Sequence, residues 1–94
     1  MRKIDKLVSV GFGNMVNSNK VIAVISPESA PIKRMIQAAK EEGTAIDVTQ
    51  GRKTKSVIVM ENGQYLLSAL QTETIANRIQ NGGKTSDEIK QKTE

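Results

Sequence analysis

Apolar residues along this chain fall into short, separated runs whose spacing alternates between a period of two and a period near 3.6, as strands and helices in turn would give. Residues 7–10 predict a short strand, closed at Gly11-Phe12-Gly13-Asn14 where two glycines allow a backbone path that other residues resist; Met15-Val16 is a candidate extension. Asn17-Ser18-Asn19 predicts a turn, and residues 20–25, dense in β-branched side chains, a second strand. Ser29 is placed to cap a helix, with Pro31 in its first turn, where a missing N–H costs little. Inside that helix, predicted over 31–42, Ile32, Met35, Ile36 and Ala39 recur at i, i+3, i+4 and i+7 as one apolar stripe, and Gly43 is the expected stop.

The second half predicts three more elements. Residues 45–49 alternate apolar and polar, as a half-buried strand should, and 50–55 form a polar, basic turn. Another apolar strand follows at 56–60, and Asn62-Gly63 between it and 65–69 is the strongest short-range hairpin signal in the chain. Thr72 is placed to cap a short helix through Ile79, with Ile75, Ala76 and Ile79 inward and Asn81-Gly82-Gly83 ending it. Residues 84–94 hold three basic and three acidic groups with only Ile89 apolar, and predict a disordered tail after a single domain over 1–83. The expected fold is α+β, a mainly antiparallel sheet of about five short strands with one central helix and a shorter C-terminal one.

Packing then raises a question of assembly. Val21–Ile25 and the run 57–60 are continuously apolar, so both faces of the sheet need cover. The central helix covers one face, and the terminal helix offers only about two turns of apolar surface. Part of the second face, or a sheet edge, is therefore expected to lie against another copy of the chain, with a self-sufficient monomer as the alternative.

Composition narrows the chemistry. Ninety-four residues make one domain, which hides roughly two-thirds of the surface of the open chain. There is no His, Cys or Trp, and Phe12 and Tyr65 are the only aromatics. Hence no unperturbed side chain titrates near neutrality, no thiolate can attack, and no His/Cys zinc site can form. Neither an enzyme nor a cofactor or small-molecule substrate is expected. The absent cysteines agree with a cytoplasmic setting, and no apolar run approaches the ~20 residues of a membrane helix. Gly83-Lys84-Thr85 is no phosphate loop, since Arg78 stands where its first glycine belongs. Gly11-Phe12-Gly13 lacks the third glycine and helix of a dinucleotide fingerprint and predicts a tight turn. Glu28, Asp47 and Glu61 are scattered singly, so they read as surface carboxylates and not as a metal or acid/base set.

Charge points elsewhere. Residues 1–60 hold ten basic against five acidic groups and residues 61–94 four against five, within a net charge of +4. Three basic clusters stand out in the first stretch. Arg52, Lys53 and Lys55 sit in a turn, where flexible cations reach phosphate oxygens. Lys33 and Arg34 fall in the first helical turn, against the preference set by the helix dipole. Lys20 follows Asn17-Ser18-Asn19 at the start of a strand, beside neutral donors to phosphate or base edges. Singly each reads as a solvated charge, and together they suggest one basic surface.

The strings Gly11-Phe12-Gly13-Asn14, Ser26-Pro27-Glu28-Ser29-Ala30-Pro31-Ile32-Lys33-Arg34-Met35-Ile36 and Asp47-Val48-Thr49-Gln50-Gly51-Arg52-Lys53-Thr54-Lys55 resemble the extracellular-matrix regulatory protein RemA family of Gram-positive bacteria, over about residues 4–80. The resemblance implies a cytoplasmic, DNA-binding transcription regulator, an activator of biofilm-matrix and osmoprotection genes, with a fold similar to LytTR-type domains. It also implies a ring-shaped homo-oligomer that double-stranded DNA wraps. The family's DNA-binding positions match Lys20, Lys33, Arg34, Arg52, Lys53 and Lys55, with lysine at 20, 53 and 55 in place of the arginine typical of the family. Lysine keeps the charge and loses two-pronged guanine contact. Residues 1–5 and the tail depart from the family, so the regulated genes do not carry over. Two other readings stay open: an RNA-binding regulator, for which few aromatics are available to stack bases, and a structural ring or adaptor.

Overall fold

The apolar runs resolve into six strands and two helices, in a computed structural model that describes residues 6–81: β1 (Leu7–Gly11), β2 (Asn14–Asn17), β3 (Val21–Ile25), α1 (Ala30–Glu42), β4 (Ala45–Asp47), β5 (Ser56–Met60), β6 (Tyr65–Ser68) and α2 (Thr72–Gln80). The chain is α+β, as expected, but its strands make two sheets and not one. β1 and β2 pair as a separate antiparallel ribbon, while the other four strands order as β3-β5-β6-β4. The predicted tail at 84–94 and the stop at Gly82-Gly83 lie outside the described residues.

Met15-Val16 does not extend the first strand; it belongs to a strand that returns along it. Phe12 and Gly13, with φ of 54° and 79°, form a two-residue turn in which both central residues are left-handed, the geometry whose twist suits a hairpin. Asn14 Nδ2 donates to the carbonyls of Gly11 and Phe12 at 3.0 and 3.3 Å and steadies it. Asn17-Ser18-Asn19 becomes a 3₁₀ turn over Ser18–Lys20 leading into β3.

The four-stranded sheet is not all antiparallel. β3 pairs β5 and β5 pairs β6 antiparallel, whereas β4 pairs β6 parallel. β3 and β4 therefore run the same way at opposite edges, with α1 as the crossover between them and the Asn62-Gly63 hairpin of β5 and β6 filling the centre. A local reading of 45–49 and 56–60 cannot anticipate this, because strand order is decided by where α1 delivers the chain. The capping residues of α1 behave as predicted: Ser29 Oγ accepts the Ile32 N–H, and Gly43 at φ 82° closes the helix by donating to Ala39 and Lys40 carbonyls. Thr72 is not the cap of α2. Gln71 takes that place without a side-chain bond, and Thr72 is the first helical residue.

α1 covers one face of the large sheet, over the buried Val57 and Leu67. The β1–β2 ribbon and α2 cover the other, where Val8, Val10, Val16, Ile58, Leu66 and Ile75 form one buried cluster. Each such side chain contributes about 1.5–3 kcal/mol on leaving water. Ser68 joins the two sheets: its hydroxyl donates to the Val10 carbonyl at 2.8 Å and accepts the Leu70 N–H at 3.0 Å. Arg78 of α2 ties that helix to the ribbon, Nη1 donating to the Ser9 carbonyl at 3.0 Å. With both faces covered, the apolar surplus moves to the outer side of the ribbon, where Leu7 and Met15 are 59% and 51% exposed, and to β3, where Ile22 is 65% exposed. Ile22 is the extra residue of a bulge, standing between Val21 and Ala23 opposite the adjacent Met60 and Val59.

Two buried serines, paired in register, give a direct test. Ser68 is fully bonded, and Ser56 Oγ has no protein partner among the described residues. Ser68→Ala is expected to cost about 1–3 kcal/mol and Ser56→Ala to be neutral or stabilising, read from the two midpoints in urea unfolding.

Candidate nucleic-acid interface

Strand direction gathers the basic residues. β3, β4 and β6 all end, and β5 begins, at the same end of the large sheet, so the segment after β3, the start of α1 and the loop from β4 to β5 share that end. Lys33 and Arg34 come from the first turns of α1, and Arg52, Lys53 and Lys55 from the loop; all five are exposed. The tip of the ribbon arrives there as well, with the Arg52 guanidinium over the Phe12 ring, 5.6 Å from its centroid. Sequence reasoning missed Phe12 as a partner. Its signal was a bulky residue between two glycines, and it is held in the left-handed region that large side chains rarely adopt. Stacking on an exposed ring gives Arg52 about 0.5–1 kcal/mol of orientation and leaves its donors free to point outward.

The loop owes its shape to Asp47, which the sequence placed among the idle surface carboxylates. Asp47 Oδ1 accepts the Thr49 N–H at 2.8 Å and the Thr49 hydroxyl at 2.6 Å, and Thr49 is buried. Beyond it, Gln50 and Gly51 adopt φ of 57° and 82°, and the Arg52 N–H closes the turn on the Thr49 carbonyl at 3.1 Å. A second anchor is the Lys55 N–H, which donates to the Ser68 carbonyl at 2.8 Å. Arg52 and Lys53 thus ride on a loop fastened at both ends.

Lys20 is not part of this group. It lies at the start of β3, at the opposite end of the sheet, and pairs with Glu61 at 3.1 Å. Both partners are half exposed, so the pair contributes little, yet it gives Lys20 a neighbour that the other five lack. Among the described residues no acid lies within ion-pair distance of Lys33, Arg34, Arg52, Lys53 or Lys55, and no group of acids could hold a metal ion. No described helix is long and apolar enough to cross a membrane. Among the described residues, then, five cations without an acidic partner share one rim.

Asp47 also makes the loop sensitive to acid. The hydroxyl of Thr49 first, then its N–H, and more weakly the Lys40 charge hold its carboxyl below the ordinary value of 3.8, against a small opposing effect of burial. A lowered carboxyl stabilises the fold at pH above 3.8, and this contribution is lost as pH falls through the folded value. Asp47→Asn is expected to lower the unfolding midpoint at pH 6, with the gap to wild type closing as the pH drops below 3.8; a gap constant with pH would remove the carboxylate from this role.

Comparison with known proteins agrees with the resemblance. The RemA-like family, described as Extracellular matrix regulatory protein A-like, matches residues 7–79. The Extracellular matrix regulatory protein A of Bacillus subtilis strain 168 is 53% identical over 74 residues, 79% of this chain and 83% of the relative. A protein of Lachnoclostridium phytofermentans named "Putative regulatory protein" is 59% identical over 76 residues, 81% of this chain and 84% of the relative. One of the same name from Alkaliphilus oremlandii is 52% identical over 84 residues, 89% of each chain. The match spans β1 through α2, including the ribbon, α1 and the basic loop, and the chain therefore belongs to the RemA-like family of regulatory proteins.

Proposed function

We propose that the chain is a DNA-binding transcription regulator whose basic rim holds the phosphate backbone of double-stranded DNA. The observation that carries this reading is the gathering of Lys33, Arg34, Arg52, Lys53 and Lys55, from two separate elements, at one end of the sheet with no acidic partner within ion-pair distance. Arg52, oriented by Phe12, is the member best built for a two-pronged contact. Neither helix presents itself as a recognition helix: α1 brings only its first turns to the rim, so sequence preference comes mainly from DNA shape and bendability.

One protomer offers too little of this surface for tight binding, and the apolar surplus supplies the remedy. β3 is an edge strand of five uncharged residues without proline, which leaves its free side open to another chain. Leu7 and Met15 on the ribbon form a second exposed apolar patch on a different element. Two unlike patches suit a head-to-tail contact, which closes into a ring when the rotation permits and repeats the basic rim along one curved duplex. The activation of matrix genes and the ring itself are part of this reading, as is the LytTR-like character that the resemblance implies. Lys20 stands apart from the rim within one protomer, and its contact with DNA is what the resemblance implies.

Salt dependence tests it. Five cations limit a lone protomer to a slope of about −4.5 in a plot of log affinity against log salt, so an assembly is expected to exceed about −5 in a gel-shift titration. A shallower slope would sink the multi-copy reading. Arg52→Ala is expected to weaken DNA binding at least about tenfold while light scattering shows the same mass. Met15→Glu and Ile22→Glu, at exposed positions, are each expected to reduce the assembly to monomers with the fold retained by circular dichroism; an unchanged mass would place the contact elsewhere.

A further inference from the structure

A cleft of about 440 Å³ opens at the basic end of the sheet, lined by Pro27, Glu28, Lys33, Ile36, Lys53 and Thr54. Its size falls in the range of roughly 300–1,000 Å³ usual for small-molecule sites. Three elements build it: the segment after β3, one face of α1 carrying Lys33 and Ile36 three residues apart, and the basic loop. Its chemistry is mixed in an ordered way. Two lysines line it from different elements, and neither ammonium lies within ion-pair distance of Glu28, which shares the cleft. α1 starts beside them with no acid in its first turn, and Glu28, just before the N-cap Ser29, is the one carboxylate lining the cleft. Pro27 is buried and Ile36 half buried, giving an apolar wall. Glu28 adds an acceptor, and the Thr54 hydroxyl a donor or acceptor.

A bare phosphate would use the lysines and leave the wall and the carboxylate idle. A phosphate of a duplex backbone would use the same two lysines and likewise leave the wall and the carboxylate idle. What fits all six residues is an anion joined to a flat, partly apolar body that carries N–H or O–H donors. We propose that the cleft binds a small phosphorylated ligand of the nucleoside monophosphate class: phosphate between Lys33 and Lys53, the ring system against Pro27 and Ile36, and a ring amine or sugar hydroxyl donating to Glu28. Lys33 and Lys53 are also two of the five cations assigned to DNA. Occupancy would then reduce DNA affinity, a consequence that rests on the DNA reading, whereas ligand binding itself does not.

The test uses the full chain without DNA, AMP and inorganic phosphate as probes, and amide chemical shifts as the readout. Support is a saturable AMP response confined to residues 26–37 and 52–55, with phosphate acting on the same amides at least about tenfold more weakly. Lys53→Ala is expected to weaken AMP at least about tenfold, while Lys40→Ala, on α1 but outside the cleft, leaves it unchanged. Shifts spread equally to Lys20 and Lys40, equal affinity for the two probes, or no response overturns the proposal. Displacement of DNA by AMP is measured separately. AMP bound without any effect on DNA would count against the assignment of Lys33 and Lys53 to DNA and leave the cleft standing.

Discussion

The seating of the β1–β2 ribbon on the large sheet is the contact on which the rest of the molecule depends. Val8, Val10 and Val16 are buried against Ile58 and Leu66 of the sheet and Ile75 of α2, so the ribbon and the helix close this face together. Dispersion and the hydrophobic effect hold the two layers together without fixing their register. That is supplied by the directional bond of Ser68 to Val10, while Arg78 of α2 fixes that helix to Ser9 of the ribbon. An unmade bond in that dry layer carries a desolvation penalty, so the ribbon has one favoured seat.

From that seat the functional end follows. Val10 is held by Ser68, so the turn at Phe12 lands beside the loop that begins β5, and Ser68 holds the same loop through Lys55. One residue therefore fastens both the ring beneath Arg52 and the chain that carries it. Asp47 and Thr49 shape the other side of the loop through hydrogen bonds that involve no basic residue. Among the described residues no acid pairs with the five cations, and the Arg52 guanidinium rests over the Phe12 ring.

Family membership and physical reading meet on the same segments. The matched stretch includes the ribbon, the start of α1 and the loop from Asp47 to Lys55, the parts that build the basic end. The regulatory role belongs to the family; the cleft between α1 and the loop is a property of this arrangement of side chains, argued from Lys33, Lys53, Glu28 and their apolar wall.

Local chemistry was legible in the residues alone. Ser29 and Gly43 bound α1, Asn62-Gly63 turns the central hairpin, Ile75 and Ile79 face inward, and the basic clusters announce themselves, because caps, turns and periodicity act over a few residues. Three features were not legible. The ribbon looked like one interrupted strand, since nothing near Met15 says which side of the turn it pairs with. β4 was expected in a mainly antiparallel sheet, and its parallel pairing was not visible because its partner β6 lies about twenty residues further along the chain. Lys20 looked like a member of the basic surface, although the length of β3 carries it to the far end and gives it to Glu61. In each case the deciding interaction joins residues far apart in sequence, and its energy exists only once packing has brought them together.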